Sequence, residues 1–398
     1  MTALRDEAPA SRQVWDQLVG QRPVIDALRA AAAGHGRSHA YLFTGPPGSG
    51  RSNAAMAFAA ALQCTEEPPG CGTCEACRTV LAGSHADVTV LRTEGLSIGV
   101  AQVRELVRRS AMAPVGRKWQ VLVVEDADRV TEPAFNALLK AIEEPSPRTI
   151  WMLCTPTVED VLPTIRSRCR LISLTTPSAD DVAAFLVRTL GVDPALASYA
   201  ARASQGHIGR ARALARDEET RNRRREVVAM PAQLTSLGRC MNAAKHLVEV
   251  TKGEAEAITS ELDAREKAEL DAAYGVVERG RRPREYAPAL RDLEKEQKTR
   301  AKRRQLDVVD RGLMDLVSVY RDAIAVAQRA PGQLVNEEIR GDVELLARVS
   351  APETNLRRIS AIFEAREQML EFNVQPALAL EAMMVALMAP EARESRLR

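Results

Sequence analysis

The stretch HAYLFTGPPGSGRSNAA, from His39 to Ala55, constrains the fold more than any other part of the chain. Tyr41, Leu42 and Phe43 form a short apolar run of strand-like residues. Gly45, Pro46, Pro47, Gly48, Ser49 and Gly50 make a glycine-rich turn, and the Ala- and Met-rich run from Ser52 to Leu62 reads as a helix. Strand, glycine loop and helix together form the setting in which such a loop cradles phosphate. Glycines let backbone N–H groups converge on phosphate oxygens, and the helix N-terminus adds a favourable dipole and unpaired donors. Ser52 stands where a hydroxyl would hold Mg²⁺. The pattern asks for Lys before that Ser, and the chain has Arg51. A guanidinium is a wide planar fork and does not replace a compact ammonium cleanly. Three readings of this loop stay open: ATP with Mg²⁺ bound, ATP bound weakly, or an inherited shape.

Strands and helices continue to alternate after the loop. Asp87–Leu91, Trp119–Val124, Ile150–Cys154 and Leu171–Leu174 read as strands, with helices over Val100–Met112, Thr131–Glu144 and Leu162–Cys169. Thr131 is the expected N-cap of its helix. The alternation predicts an α/β domain, a parallel sheet covered on both faces. Glu125 and Asp126 follow the apolar run WQVLVV, where such folds place carboxylates that hold Mg²⁺ and orient water. An acidic turn capping the next helix is the plainer alternative.

Between the first helix and the second strand lie Cys64, Cys71, Cys74 and Cys77, four thiols within fourteen positions and interleaved with Pro68, Pro69, Gly70 and Gly72. Four sulfurs converging on one ion make a closed tetrahedral site, which is structural. Zinc is the expected metal, folding the module 64–77 instead of doing chemistry. The seven cysteines suit reduced thiols in the cytoplasm. No apolar run approaches the roughly 20 residues that cross a bilayer, so no membrane association is expected. Residues 1–12 read as disordered, with no apolar signal region.

After Pro177 the strands stop. Asp180–Leu190, Pro194–Ala203 and Ile208–Ala215 read as three short helices, and the charged run 216–226 as a junction. The remainder is helical. Residues 251–304 are rich in both charge signs and suit long exposed helices or a hairpin. Residues 281–304 carry ten basic against four acidic side chains, fitting a solvated helix better than a DNA face. The net charge of +2 supplies no global pull toward nucleic acid. Pro376–Met388 is almost wholly apolar and must be buried, in its own domain or against another subunit.

The glycine loop, the four-cysteine insert, the acidic strand end, NALLKAIEEP, the strand ending at Thr155 and Ser167-Arg168-Cys169 occur here in one order. That order resembles the bacterial DNA polymerase III clamp-loader ATPases of the AAA+ class. The resemblance is close over the first 215 residues and rests beyond them on helical character and the closing NVQPALALEA. It implies an AAA+ P-loop domain over 1–176, a helical lid over 177–215 and a helical collar for oligomerisation over 216–398. Motor members of the family carry Lys in the loop and Asp-Glu at the strand end. Here stand Arg51 and Glu125-Asp126, and Gly209 where the family's second sensor arginine would be, with Arg210 one place later. These departures imply a stator with little or no ATPase of its own; the alternative is a gamma/tau-like motor. By the resemblance, Arg168 reaches in trans to ATP on a neighbouring subunit, Thr155 is the first sensor, and Val19 and Gly20 border the adenine of any bound nucleotide. The implied partners are gamma/tau and delta subunits, and through them a sliding clamp and primed DNA at the cytoplasmic replisome.

Overall fold

The computed structural model describes residues 13–93, 95, 97–116, 118–275, 283–372 and 374–388. The expectation for residues 1–12, and Arg281 and Arg282 of the basic run, lie outside the described residues. The chain divides into two compact units, Met1–Ala215 and Arg216–Arg398.

The first unit is built on five parallel strands. They are β1 (Ala40–Thr44), β2 (Val88–Leu91), β3 (Gln120–Val124), β4 (Thr149–Thr155) and β5 (Arg170–Ser173). Their order across the sheet is β2-β3-β4-β1-β5. β1, β3 and β4 are buried along their whole length, as expected of strands covered on both faces. Thr44 pairs with Thr155, and Val124 with Leu153. Because all strands run the same way, the segments after β1, β3 and β4 emerge along one edge, where open α/β sheets bind ligands.

The covering helices are α1 (Arg22–Ala32), α2 (Arg51–Gln63), α3 (Glu75–Leu81), α4 (Val100–Ser110), α5 (Glu132–Glu143) and α6 (Pro163–Arg166). One apolar layer packs α1 and α2 on Tyr41, Phe43, Met152 and Cys154. The other packs α4 and α5 on Leu42, Leu122, Val124 and Trp151. Alternate residues of β1 and β4 thus serve opposite faces, the period-two consequence of the pleat.

Three details differ from expectation. α6 spans four residues, not eight, because Arg170 is already paired with Tyr41 in the sheet. α3 begins inside the cysteine insert and runs past it to Leu81, started by Cys74, whose sulfur accepts from the Cys77 N–H. Thr131 sits at the N-cap of α5, but its side chain makes no capping bond.

Three further helices, α7 (Ala179–Leu190), α8 (Pro194–Ser204) and α9 (Ile208–Arg216), enclose a core of Val182, Phe185, Leu186, Ile208 and Leu214. Ser178 and Asp193 cap α7 and α8 with their side chains.

The second unit is all helical: α10 (Glu218–Ala229), α11 (Leu237–Ala273), α12 (Tyr286–Ala327), α13 (Arg340–Val349), α14 (Pro352–Leu370) and α15 (Pro376–Leu387). The charged run expected to be a junction is α10 itself, capped by Asp217, which accepts from the N–H groups of Glu219 and Thr220. Arg224 of α10 is buried, bonded to Asp315 at 3.2 Å, to Glu338 and to Asn336. Asn336 passes the network on to Ser318 and Asp322, both at 2.9 Å. Burial pushes the Asp322 carboxyl above the usual Asp range, against the bonds from Asn336 and Val335. α11 and α12 form the long hairpin. α15 buries Leu380, Met383, Met384 and Leu387 in the main core, while Leu378 and Val385 stay exposed. Among the described residues no helix is long and apolar enough to cross a membrane.

Candidate functional site

The loop after β1 has the backbone of a phosphate cradle. Gly48 and Gly50 take positive φ of 83° and 96°, the left-handed region that glycine enters without a Cβ penalty. Gly50 ends the loop as the N-cap of α2, leaving the first helical N–H groups facing it. Ser49 is buried, and its hydroxyl has no hydrogen-bond partner among the described residues. Pro46 and Pro47 are exposed at the tip, Ser52 half-buried in the first turn of α2.

Two features change what this cradle can hold. Arg51 turns its guanidinium back onto the loop and donates to the carbonyl of Gly45. Burial pulls its pKa below the usual Arg value, opposed by the nearby charges of Asp128, Asp126 and Asp160. The start of α9 is seated on the loop as well. Ile208 N–H donates to the Gly48 carbonyl at 3.4 Å, and a Cβ on Gly48 would fall 2.6 Å from the His207 Cα. The loop has the shape for phosphate and an orphaned hydroxyl within it. Its one cation, however, is committed to the loop's own backbone, so the donor set does not fit a triphosphate in this arrangement.

The carboxylates stand along the same sheet edge. Burial raises the Glu125 carboxyl above its ordinary range, eased by Arg92. Asp126 accepts from the Thr93 N–H at 3.4 Å. Thr155 is fully buried, and its hydroxyl donates to Asp160 at 2.8 Å. Asp160 and His207 were not singled out from the sequence; the strand order and the helical packing bring them here. Val19 is buried in the core of α7–α9, and Gly20 lies against Pro177 and Asp181. Gln21 ties this entry segment to Thr175 by two hydrogen bonds, of 2.7 and 3.2 Å.

Arg168 lies just past α6 on the surface. Its guanidinium donates to the Thr164 carbonyl at 2.7 Å and to the Ser167 hydroxyl at 3.1 Å, and pairs with Glu143 of α5 at 2.6 Å. Both side chains of the pair are about four-tenths exposed, 38% and 41%. Cys169 is half-buried, its thiol pushed up to about 12 by burial.

The four cysteines converge. All four sulfurs lie within 4.8 Å of one another, with Cys64–Cys71 at 3.7 Å and Cys64–Cys74 at 3.9 Å. A tetrahedron of thiolates around zinc at ~2.3 Å has edges of about 3.8 Å, so the cluster is of the size that holds a metal ion. Backbone N–H groups of Thr73 and Cys74 point at the Cys71 sulfur, the outer-shell bonds that steady such ligands. Burial opposes ionisation of Cys74, but N–H donors from Thr65 and Cys77 outweigh it and hold the thiol at about 6. Cys77, deeper, is raised by burial.

The five-stranded parallel sheet and the glycine loop that leads from β1 into α2 define an α/β domain of the P-loop type. A family profile described as "DNA polymerase III, delta subunit" matches residues 20–178. It is 39% identical over 171 residues to DNA polymerase III subunit gamma/tau of Mycobacterium tuberculosis, covering 42% of this chain and 29% of that protein. It is 35% identical over 196 residues to subunit delta' of Pseudomonas aeruginosa, covering 48% of this chain and 56% of that protein. The chain therefore spans under a third of its gamma/tau relative and just over half of its delta' relative. Among solved structures, a gamma subunit-related protein of Thermotoga maritima aligns over 91% of this chain and 98% of its own, at TM-score 0.41 and 14% identity.

Proposed function

We propose that this chain is a delta-prime-type stator of a DNA polymerase III clamp loader. It supplies Arg168 to ATP held by a neighbouring gamma/tau-type subunit, and the assembly, with a delta subunit, places a sliding clamp on primed DNA. The observation that carries the reading is Arg51. The only cation of the phosphate loop is spent on the Gly45 carbonyl, whereas catalysis by such a loop needs that charge on the transferring phosphoryl group. Asp126, in the water-orienting carboxylate's place, is a methylene shorter than the Glu of the motor members, a displacement on the order of 1 Å, enough for a hundredfold loss.

The surroundings of Arg168 support a role for it in trans. Its pairing with Glu143 is half-exposed, and exposed ion pairs contribute only about 0–1 kcal/mol. Exchanging Glu143 for a phosphoryl oxygen across an interface therefore costs little, and a desolvated guanidinium there stabilises transition-state charge strongly. The four cysteines would hold zinc and fold the insert. Residues 177–215 would be the lid and 216–398 the collar. On α14, Leu356, Phe363 and Leu370 recur every seven residues and are about half exposed, at 55, 46 and 43%. That apolar stripe supports the reading of this unit as the assembling part.

The gamma/tau-like motor reading has one observation in its favour, the 39% identity to a gamma/tau subunit. ATP turnover separates the two. Under the stator reading the purified chain hydrolyses no ATP, and turnover appears only when a Lys-bearing partner is added. Brisk turnover by the chain alone would establish the motor reading.

A further inference from the structure

The helical hairpin carries a charge pattern that the stator role does not use. Members of the second unit's main core on α11 end at Leu247, with Val248 beside them, and on α12 they begin at Leu306. Beyond those points the two helices pair chiefly with each other. The α12 arm from Tyr286 to Gln305 adds roughly 30 Å at 1.5 Å per residue. Tyr274 and Tyr286 close its far end edge to face at 5.9 Å.

Gln297 and Arg300 mark the inner face of this arm. Gln297 donates to the Asp263 carbonyl at 3.0 Å, and Arg300 is buried against Glu266 and Asp263 of α11. On the opposite face, at spacings of four, three and four, stand Arg291, Lys295, Lys298 and Lys302, all exposed. These positions form one straight row of about three turns, ~16 Å long. Arg291, Lys295 and Lys298 have no carboxylate partner among the described residues; Arg291 bonds only the Ala287 carbonyl of its own helix, at 3.3 Å. Asp292 and Glu296 fall on the flanks, and Glu294 on one edge.

We propose that this row is a contact for the phosphate backbone of a nucleic-acid duplex. The row offers no large apolar side chain; the exposed hydrophobics of this unit lie on Leu237, Met241, α13, α14, α15 and their ends. A protein partner would find no anchor to desolvate. Tyr274 and Tyr286 at the tip are packed on each other and Tyr320 is buried, so among the described residues of the hairpin no tyrosine is free to stack unpaired bases. What remains is a line of cations matched to a line of anions. A duplex presents about one charge per 1.7 Å of axis, roughly ten along the row. The contact uses neither Arg168 nor the phosphate loop, so it stands or falls apart from the stator reading.

The test is salt-dependent binding of the full chain, without nucleotide or partner subunits, to a labelled duplex of arbitrary sequence, read by fluorescence anisotropy. Three phosphate contacts give a slope of about −2.7 in log K against log salt, near a fortyfold loss between 50 and 200 mM. The variant Arg291→Gln, Lys295→Gln, Lys298→Gln should flatten the slope by about that amount. Its helix content by circular dichroism should match the parent, since Gln is a good helix former. The control Lys245→Gln, Lys252→Gln, exposed on α11, should leave the slope unchanged. No binding by the parent chain, or equal slopes for parent and triple variant, would overturn the proposal.

Discussion

Removing the metal from the cysteine module should unpack one particular tryptophan. Residues 64–74 contain no helix or strand, and ordering them costs on the order of 10–20 kcal/mol of backbone entropy. Structural zinc binding, about 10–16 kcal/mol in small finger peptides, is of the size to offset this. The module in turn holds the start of the chain. Val14 N–H donates to the Gly70 carbonyl at 3.2 Å. Gly70 has φ of 103°, and a Cβ on it would fall 2.6 Å from Trp15 Nε1. Trp15 is 3% exposed in this packing. An indole buries some 150–250 Å², worth roughly 4–6 kcal/mol at 25 cal/mol per Å² if wholly lost. Its remaining contacts with α2 should retain part of that. We therefore expect one zinc per chain by metal analysis. A strong chelator should lower the melting temperature and shift tryptophan emission to the red. The shift should shrink in Trp15→Phe, because of the other two tryptophans Trp151 is fully buried in the sheet and Trp119 is held under the Arg37 guanidinium, 4.5 Å from its ring centre. Metal content near zero, or a chelated protein with unchanged emission and melting, would refute the reasoning.

Two further outcomes follow from the second unit. Arg224→Ala removes the cation from a site where its side chain is 2% exposed and that of Asp315 4%; breaking such a pair costs about 3–5 kcal/mol, measurable as a lower urea midpoint, and a loss within 0.5 kcal/mol would contradict it. Phe363→Asp lies on the half-exposed stripe of α14, so the isolated chain should keep its stability to within about 0.5 kcal/mol while its sedimentation with partner subunits is lost. Retained assembly would remove the stripe from the interface.

Much of the first unit was legible because its sheet is buried on both faces. Runs such as YLFT, WQVLVV and IWMLC leave no polar face to solvent, and their continuous hydrophobicity identifies them. The glycine loop and the cysteine spacing were legible because few other residue patterns permit those backbones. Asp160 and His207 were not. Asp160 matters only because β4 lies beside β1, and His207 because α9 packs down on Gly48. Neither adjacency is written in local pattern. α10 was mistaken for a junction because its surface charges outnumber its core residues; its anchor is the buried Arg224, beside the half-buried Arg221 and Arg223 and the exposed Arg225, and composition cannot single it out. The hairpin was legible as long helices, but the row on its outer face emerged only once Gln297 and Arg300 showed which face meets α11.

The measurement closest to the central claim is the DNA-stimulated ATPase of a reconstituted assembly of this chain with Lys-bearing motor subunits. With Arg168→Ala, the complex should form as before while turnover at the single interface served by this chain falls about a thousandfold or more. Turnover unchanged by Arg168→Ala, at full assembly, would contradict the account.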